Sequence, residues 1–485
     1  MRMTKGGPGM RLNAAQVDRA IGALVGAACG DALGAGYEFG SAPLEGDPQM
    51  IGGGLGNFAP GEWTDDTSQT YAIAKVAATG ADLREESALD EIAQGFADWM
   101  SCGPPDVGIQ TRMILGEVGA HPSAAQMRAA AEQLHRRGSR TAGNGSLMRT
   151  SCVALAHLDD PQALVEAAHQ VAALTHYDPL GADACALWCL AIRHAVLLGE
   201  LPVLVDLVDF LHPDRRDFWR TTVLKAESDQ PHTFRPDGYV VTALQAAWSA
   251  ISHTPIPLHD PAAGSFSCQH LVAGLNAAIA IGDDTDTVAS IAGALLGARW
   301  GYSSIPWQWR RILHGWPGVR NKDLHDVAVL TIQGGKSDAQ GWPTAGRIDY
   351  SSHQGYNSFA THPHDPDVYI SGAATLDALP SKVTAVVSLA RLGAHQIPSH
   401  IEQIDIRLID TSAADNPNIH FAINEGASAV RALRAEGHVV LLHCVAAQSR
   451  TPVVATRYST LLGYPLEQAL AEVQAVLPAA SPNPV

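Results

Sequence analysis

Cysteine is scarce, with seven in 485 residues, and none fall into the short paired spacings of a disulfide framework. That usage suits reduced thiols in a cytoplasmic protein. Cys185 and Cys189, one helical turn apart in an apolar run, read as core packing. Charge is sparse too, at 17% of residues, and positive charge is in deficit: 32 Lys and Arg against 49 Asp and Glu, a net of −17. This argues against partners bound through bulk positive charge, such as nucleic acid or an anionic membrane, and an anionic substrate would need a local positive site. The sequence also lacks an uninterrupted apolar run of about 18 residues and an apolar stretch behind its N-terminal basic residues, so nothing in it signals membrane targeting. What is present is apolar content of 46% and ten tryptophans. That composition is globular, and the length predicts two to three domains.

Two acidic clusters dominate the chemistry, Trp63-Thr64-Asp65-Asp66-Thr67 and Gly282-Asp283-Asp284-Thr285-Asp286-Thr287. Both lie in alanine-rich helical sequence and not among other charges. A partly buried pair such as Asp65-Asp66 is costly unless a cation or a shared proton compensates it, and closely spaced carboxylate and hydroxyl oxygens suit hard divalent cations. The bland alternative for either cluster alone is an exposed helix N-terminus, where acidic residues are favoured anyway. Asp284 and Asp286 alternate, so with Thr287 they can face one site while Asp283 looks elsewhere. Asp-Thr-Asp-Thr-Val also fits the nucleophile motif of haloacid-dehalogenase-type phosphatases, but that motif needs a parallel sheet behind it and the helical surroundings argue against one.

In chain order, a Gly-rich tail leads to a helix over 14–28, capped by Asn13 with Gln16 and ended by Gly30-Asp31. Glu38 follows on a loop of small residues. Glycine-rich 51–62 delivers the first acidic cluster to a helix N-terminus, and helices continue at 88–100, 181–199 and 240–252. Gly103-Pro104-Pro105-Asp106-Val107-Gly108 is a turn. Gly143-Asn144-Gly145-Ser146 offers backbone N–H groups at the start of a helix, an anion-binding arrangement, with a plain Asn-Gly turn as the alternative. His176 alone would read as a core or capping histidine. Residues 203–236 read as an irregular insertion. A helix over 288–299 carries Ala289, Gly293, Ala294 and Gly297, small residues that predict a close neighbour. A last helix begins at Asn321, and 334–365, without periodicity, reads as a linker.

The remaining third changes character: strands at 368–372, 383–389 and 404–409, a helix over 419–435, and the apolar strand 439–443. Cys444-Val445-Ala446-Ala447-Gln448-Ser449-Arg450-Thr451 stands after that strand, before a helix. Backbone N–H groups of a tight loop at a helix N-terminus, with an arginine, bind a phosphoryl dianion and favour a thiolate.

Taken together, Gly26-Ala27-Ala28-Cys29-Gly30-Asp31-Ala32-Leu33-Gly34 with Glu38-Phe39, Thr64-Asp65-Asp66-Thr67, Gly143-Asn144-Gly145-Ser146 with Met148-Arg149, Thr175-His176 and Asp284-Thr285-Asp286-Thr287 resemble the ADP-ribosylglycohydrolases. The motifs come in that family's order over the first two-thirds of the chain. The resemblance implies an all-α fold in which Thr64, Asp65, Asp66, Asp284, Asp286 and Thr287 hold two Mg²⁺ or Mn²⁺ ions. It implies catalytic roles for Glu38, Asp65 and Asp284, and contacts to ADP-ribose from Asp106, Gly108, Asn144, Gly145, Ser146 and His176. The Cys-x5-Arg-Thr loop is similar to that of the dual-specificity protein phosphatases, which implies Cys444 as nucleophile, Arg450 on the phosphoryl group, Asp410 as general acid with Asp415 in reserve, and Thr451 helping to expel the thiolate. That family's loop usually carries glycine where this sequence has Ala447.

The expectation is therefore a tail to residue 12, an all-α domain over 13–333, a linker over 334–365, an α/β phosphatase-like domain over 366–475 and a tail over 476–485. The function expected is metal-dependent hydrolysis of ADP-ribose conjugates, protein or small molecule, in the cytoplasm, with phosphoesters as a second substrate class. Two other readings stay open: an ADP-ribose-binding module without turnover, and a phosphatase that the first domain delivers to ADP-ribosylated proteins.

Overall fold

A computed structural model describes residues 10–138, 140–409 and 416–481. It divides into two compact units. The first takes the chain to Pro257, then Gln269–Ile305 and Ile312–Lys336; the second takes Leu258–Cys268, Pro306–Arg311 and the described chain from Ser337 on.

The first unit is helical, apart from a small antiparallel pairing of His314–Gly315 with Val319–Arg320. Its centre is the helix Ala14–Gly34 packed along the helix Thr285–Trp300. The reason is in the glycines. A Cβ added at Gly26 would stand 2.4 Å from the Gly293 carbonyl oxygen, one at Gly30 2.1 Å from that of Ala289, and one at Gly34 2.5 Å from Asp286 Cα. Only backbone-to-backbone approach fits there. The neighbour that Gly293 and Gly297 predicted is therefore the first helix, and Gly30-Asp31 does not end that helix as expected. Gly30 is a packing residue, and the helix continues to Gly34 because its glycines are held against a partner. Asn13 and Gln16 form the predicted reciprocal cap, at 2.9 and 2.8 Å.

The helices Asp65–Ala77, Glu86–Ser101, Pro179–Leu198 and Val240–His253 fall close to their predicted places. Among the described residues, two stretches are long and apolar enough to cross a membrane, Ala14–Gly40 and Pro179–Leu198, and both are largely buried in the protein. Residues 203–236 are not irregular: they contain the helix Pro213–Ser228, capped by His212 with Pro213 in its first turn, where a missing N–H costs nothing. Trp219 Nε1 and Arg215 Nη2, each at 3.0 Å, satisfy the fully buried Asp183.

The second unit holds a five-stranded sheet in the order Phe359–His362, Asp365–Ser371, Val440–His443, Ala385–Ser388, Glu402–Asp405. The first pair is antiparallel and the others are parallel. Helices Ile419–Ala435, Arg450–Leu461 and Leu466–Val476 accompany it. Residues from 337 to 365 belong to this unit instead of forming a free linker, and they supply its edge strand. That strand hides from pattern reading because only His362 of its four residues is buried. The third expected strand lies at Glu402–Asp405, two residues earlier than its apolar run suggested. Segments 258–268 and 306–311, expected in the first domain, also belong to the second unit. Trp307 is 4% exposed in a core cluster with Val368, Ile370 and Val440.

Candidate functional site

Thr64 caps the helix Asp65–Ala77, so Asp65 and Asp66 occupy its first turn. Asp284 stands before the helix Thr285–Trp300 with Asp286 in its first turn. Helix N-termini carry partial positive charge that favours such carboxylates. Asp66 Oδ2 joins the clusters, accepting from Thr64 Oγ1 at 3.4 Å and from Thr287 Oγ1 at 3.3 Å, the latter 221 residues away in sequence. Glu38 arrives from the turn after the first helix. Phe39 takes a left-handed φ of 47° and its N–H donates to the Asp283 carbonyl at 2.7 Å, which ties the two loops together. Oxygens of Glu38, Asp284 and Asp286 lie within 4.8 Å of one another. Asp283 turns outward to pair with Arg235, as its position in the motif suggested.

Burial of so many carboxylates raises all of them. Glu38 is pushed up to about 9 by burial and then by Asp284, Asp106 and Asp65. Asp65 is pushed up to about 8 by burial and Asp106. Asp66 and Asp286 stand well above the usual range, mainly through burial, then through Asp31 for Asp66 and Glu38 for Asp286. Asp284 is raised by burial against hydrogen bonds from Asn144 and Thr287 that act the other way. Glu38 Oε2 and Asp66 Oδ1 are buried with no hydrogen-bond partner among the described residues. Acceptor oxygens left in that state are costly. An all-oxygen set of carboxylates and hydroxyls, with orphaned lone pairs at its centre, fits a hard divalent cation.

Around this centre, Gly108 N–H reaches Asp65 Oδ2 at 3.4 Å, and Asp106 is close enough to raise Glu38 and Asp65. Asn144 Nδ2 donates to Asp284 Oδ2 at 2.7 Å. The Gly143–Ser146 expectation needs correction. Asn144–Ser146 is a single 3-10 turn and not the start of a longer helix, and the Asn144 N–H is used by the Gly238 carbonyl at 3.2 Å. Asn144 contributes its side chain to the acidic centre. His176 is 2% exposed, and its ring lies against Gly143 and Gly145, where added Cβ atoms would stand 3.4 and 3.3 Å from Nε2. Burial and nearby Arg149 push it down to about 3, so it is a neutral imidazole. A cavity of about 350 Å³ opens beside Asp65, lined by Trp63, Trp99, Cys102, Asp106 and Trp316 among others.

Several residues that sequence reasoning left without a role hold this arrangement. Asp31 Oδ1 accepts from Thr64 N–H at 2.9 Å, and Oδ2 accepts from Thr67 N–H at 2.9 Å and Thr67 Oγ1 at 2.6 Å. Asp237, fully buried, accepts from the Asp284 N–H at 3.1 Å and is pushed up to about 7 by burial. Gln69, Arg149 and Thr175, all fully buried, extend inward from Asp65. Asp31 and Arg149 stand inside the motifs themselves; Asp237 gave no local signal because its partner lies on another element, whereas Gln69 stands four residues after Asp65 on one helix, a spacing that could have signalled the pair.

In the second unit, Cys444 follows the central strand Val440–His443, and Arg450 opens the helix Arg450–Leu461. The Cys444 N–H and Thr451 Oγ1 share the Ser371 carbonyl, each at 3.4 Å. Arg450 Nη1 donates to the Leu389 carbonyl at 2.7 Å and more weakly to Leu408. Ala447 takes a left-handed φ of 53°, the conformation in which glycine was expected. Asp410 and Asp415 lie outside the described residues.

A largely helical unit that gathers four carboxylates and two threonines at two helix N-termini, with the Asn144 side chain donating to one of them, has the acid-cluster site of an oxygen-rich hydrolase class. The chain belongs to the ADP-ribosylglycohydrolase family, whose sequence profile matches residues 12–339. It is 30% identical over 308 residues to an ADP-ribosyl-[dinitrogen reductase] glycohydrolase of Rhodospirillum rubrum, covering 60% of this chain and 89% of that protein. It is 25% identical over 307 residues to ADP-ribosylarginine hydrolase Tri1 of Serratia proteamaculans (strain 568), covering 60% and 74%. A solved structure of human DUSP28 aligns with 26% of the chain and 84% of its own length, at 23% identity and a TM-score of 0.23.

Proposed function

We propose that the first unit hydrolyses the glycosidic bond between ADP-ribose and a modified group with the help of two divalent cations, Mg²⁺ or Mn²⁺, held by Thr64, Asp65, Asp66, Asp284, Asp286 and Thr287. The observation that carries this reading is the convergence of both acidic clusters and Glu38 on one buried point with orphaned acceptor oxygens. When bound, such ions supply charge compensation for the carboxylates and Lewis acidity toward sugar hydroxyls and water. Glu38, close to Asp284 and Asp286 and with Oε2 unpartnered among the described residues, holds or moves a proton at that oxygen in this reading. The Gly143–Ser146 turn and His176 form a wall against which the ADP-ribose lies, and Asp106 and Gly108 contact it beside Asp65. The remaining carboxylates steady positive charge that develops on the ribose during cleavage.

The relatives' names include an ADP-ribosylarginine hydrolase and a glycohydrolase of ADP-ribosylated dinitrogen reductase. An arginine conjugate suits the cavity beside Asp65, since its lining combines tryptophans with Asp65 and Asp106, groups that attract a planar cation. Release of ADP-ribose should vanish on chelation and return with Mg²⁺ or Mn²⁺, and Asp65→Ala and Asp286→Ala should lose both metal content and release. Full occupancy and full activity in both variants would remove the metal role. Binding of ADP-ribose without release by the wild type would leave a reader module.

A second reading attaches to the second unit, favoured by the placement of Cys444 at the end of the central parallel strand, with Arg450 opening the following helix. There the Cys444 thiolate attacks the phosphorus of a phosphomonoester that Arg450 holds and expels its alcohol or phenol, and water then cleaves the phosphocysteine to inorganic phosphate and frees the thiolate. Hydrolysis of an aryl phosphate should disappear in Cys444→Ser. A wild-type protein that binds phosphate but cleaves no phosphoester would reduce this unit to a binding module.

A further inference from the structure

Beneath the acidic centre runs an unbroken chain of buried side-chain hydrogen bonds. Asp65 Oδ2 accepts from Gln69 Nε2 at 3.0 Å, and Gln69 Oε1 accepts from Arg149 Nη1. Arg149 Nη2 donates to Thr175 Oγ1 at 2.6 Å, and Thr175 Oγ1 stands 2.7 Å from His176 Nδ1. The guanidinium also lies over the Phe96 ring, 4.5 Å from its centroid, in a site with no solvent exposure.

Direction in this chain follows from chemistry. A guanidinium can only donate. Gln69 must therefore turn its carbonyl to Arg149, which leaves its amide N–H₂ for Asp65 and fixes one rotamer of that carboxylate. At the other end, Thr175 Oγ1 accepts from Arg149 and keeps one hydrogen to place. Among the described residues His176 Nδ1 is the only acceptor within reach of that hydroxyl. If Nδ1 carried a proton instead, two donors would face Thr175 and its own buried hydrogen would have no partner, a costly arrangement. Nδ1 is therefore the acceptor and the ring proton sits on Nε2. That atom points to Gly143 and Gly145, where the missing Cβ atoms leave room for the ring edge, and no protein group among the described residues pairs with it.

We infer that Arg149 is a positioning residue that orders both walls of the site from below: through Gln69 it orients Asp65, and through Thr175 it holds His176 as the Nε2–H tautomer, a neutral hydrogen-bond donor for an acceptor oxygen of the ligand on the Gly143–Ser146 turn. The ligand's identity as ADP-ribose rests on the proposed function; the tautomer does not. A neutral donor suits this place, because a charged imidazolium beside the buried guanidinium would repel it.

The test reads the tautomer directly, by long-range ¹H–¹⁵N correlation on ligand-free protein labelled at histidine, with His176→Gln supplying the difference spectrum. The wild type should show protonated Nε2 and bare Nδ1. Thr175→Val, which keeps shape and removes the hydroxyl, should release the tautomer and weaken binding of free ADP-ribose by about tenfold, the worth of one buried hydrogen bond. Thr175→Ser should restore both. His176→Gln, with an N–H near the Nε2 position, should bind better than His176→Asn. Arg149→Lys should fail at both ends, since a single ammonium cannot span Gln69 and Thr175; the threonine pair keeps the test open if that variant does not fold. A wild-type ring protonated on Nδ1, or a folded Thr175→Val with an unchanged spectrum and unchanged affinity, would overturn the inference. A wild type showing Nε2–H that takes up no ADP-ribose would remove the proposed ligand and leave the positioning of His176 standing.

Discussion

Asp31 shows how a single side chain sets the geometry of a site it does not occupy. It stands near the end of one helix and caps the N-terminus of another, taking the Thr64 N–H, the Thr67 N–H and the Thr67 hydroxyl on its two oxygens. Those donors fix the turn that presents Asp65 and Asp66. Asn cannot replace it, because whichever position became the amide N–H₂ would face at least one donor, the Thr64 N–H in the better orientation. Asp31→Asn should therefore cost about 2 kcal/mol of stability, the usual worth of a lost cap or charge-assisted bond. It should also lower metal content without removing any ligand; denaturant midpoints and metal analysis would check both, and an unchanged midpoint would contradict the capping role. The carboxylates themselves were legible in the sequence because their clusters are local. Asp31 stood in a quoted motif, yet its partners lie 33 and 36 residues on, a distance at which no spacing rule operates.

At the scale of elements, glycine misled the reading once and guided it once. Gly293 and Gly297 predict a face for a close neighbour, and the helix Ala14–Gly34 is that neighbour; Gly30 on the other side predicts a stop, and is the matching half of the same contact. A sequence shows that a residue is small but not whether the smallness serves a turn or a packed backbone. The two uses predict opposite effects of one substitution. Gly30→Ala gains up to about 1 kcal/mol in helix propensity. It also drives a methyl to 2.1 Å from the Ala289 carbonyl oxygen, where overpacking costs about 1–3 kcal/mol or more because backbone must move. The clash wins, and the melting temperature should fall. Gly116→Ala, in the helix Ile109–Val118 with nothing within 4 Å of the added methyl, should raise it. If both substitutions shift the midpoint the same way, the helix contact does not have the tightness described.

For the whole molecule, the change of character along the chain placed the sheet in the last third, and four of its five strands were readable from apolar runs. What pattern reading could not show is that the second unit recruits chain from upstream. Segments 258–268 and 306–311 belong to it although first-unit chain runs between and after them, and a linear division at 334–365 therefore cuts through its core. Trp307 is buried among strand residues, its backbone N–H donates to Glu425 at 2.7 Å, and Arg311 pairs with Glu402 and Glu436, each at 2.8 Å. The ion pairs are partly exposed and contribute little; the tryptophan decides the matter, because removing a buried ring costs about 3–5 kcal/mol, a large share of a domain's net stability. A fragment of residues 337–485 made alone should therefore unfold at a clearly lower denaturant concentration than the same unit within the full chain. Trp307→Ala in the full chain should reproduce most of that loss while leaving ADP-ribose release intact. If the fragment matches the full-length unit in midpoint, then 306–311 rests against the second unit without supporting it, and the division at 334–365 would stand as a true boundary.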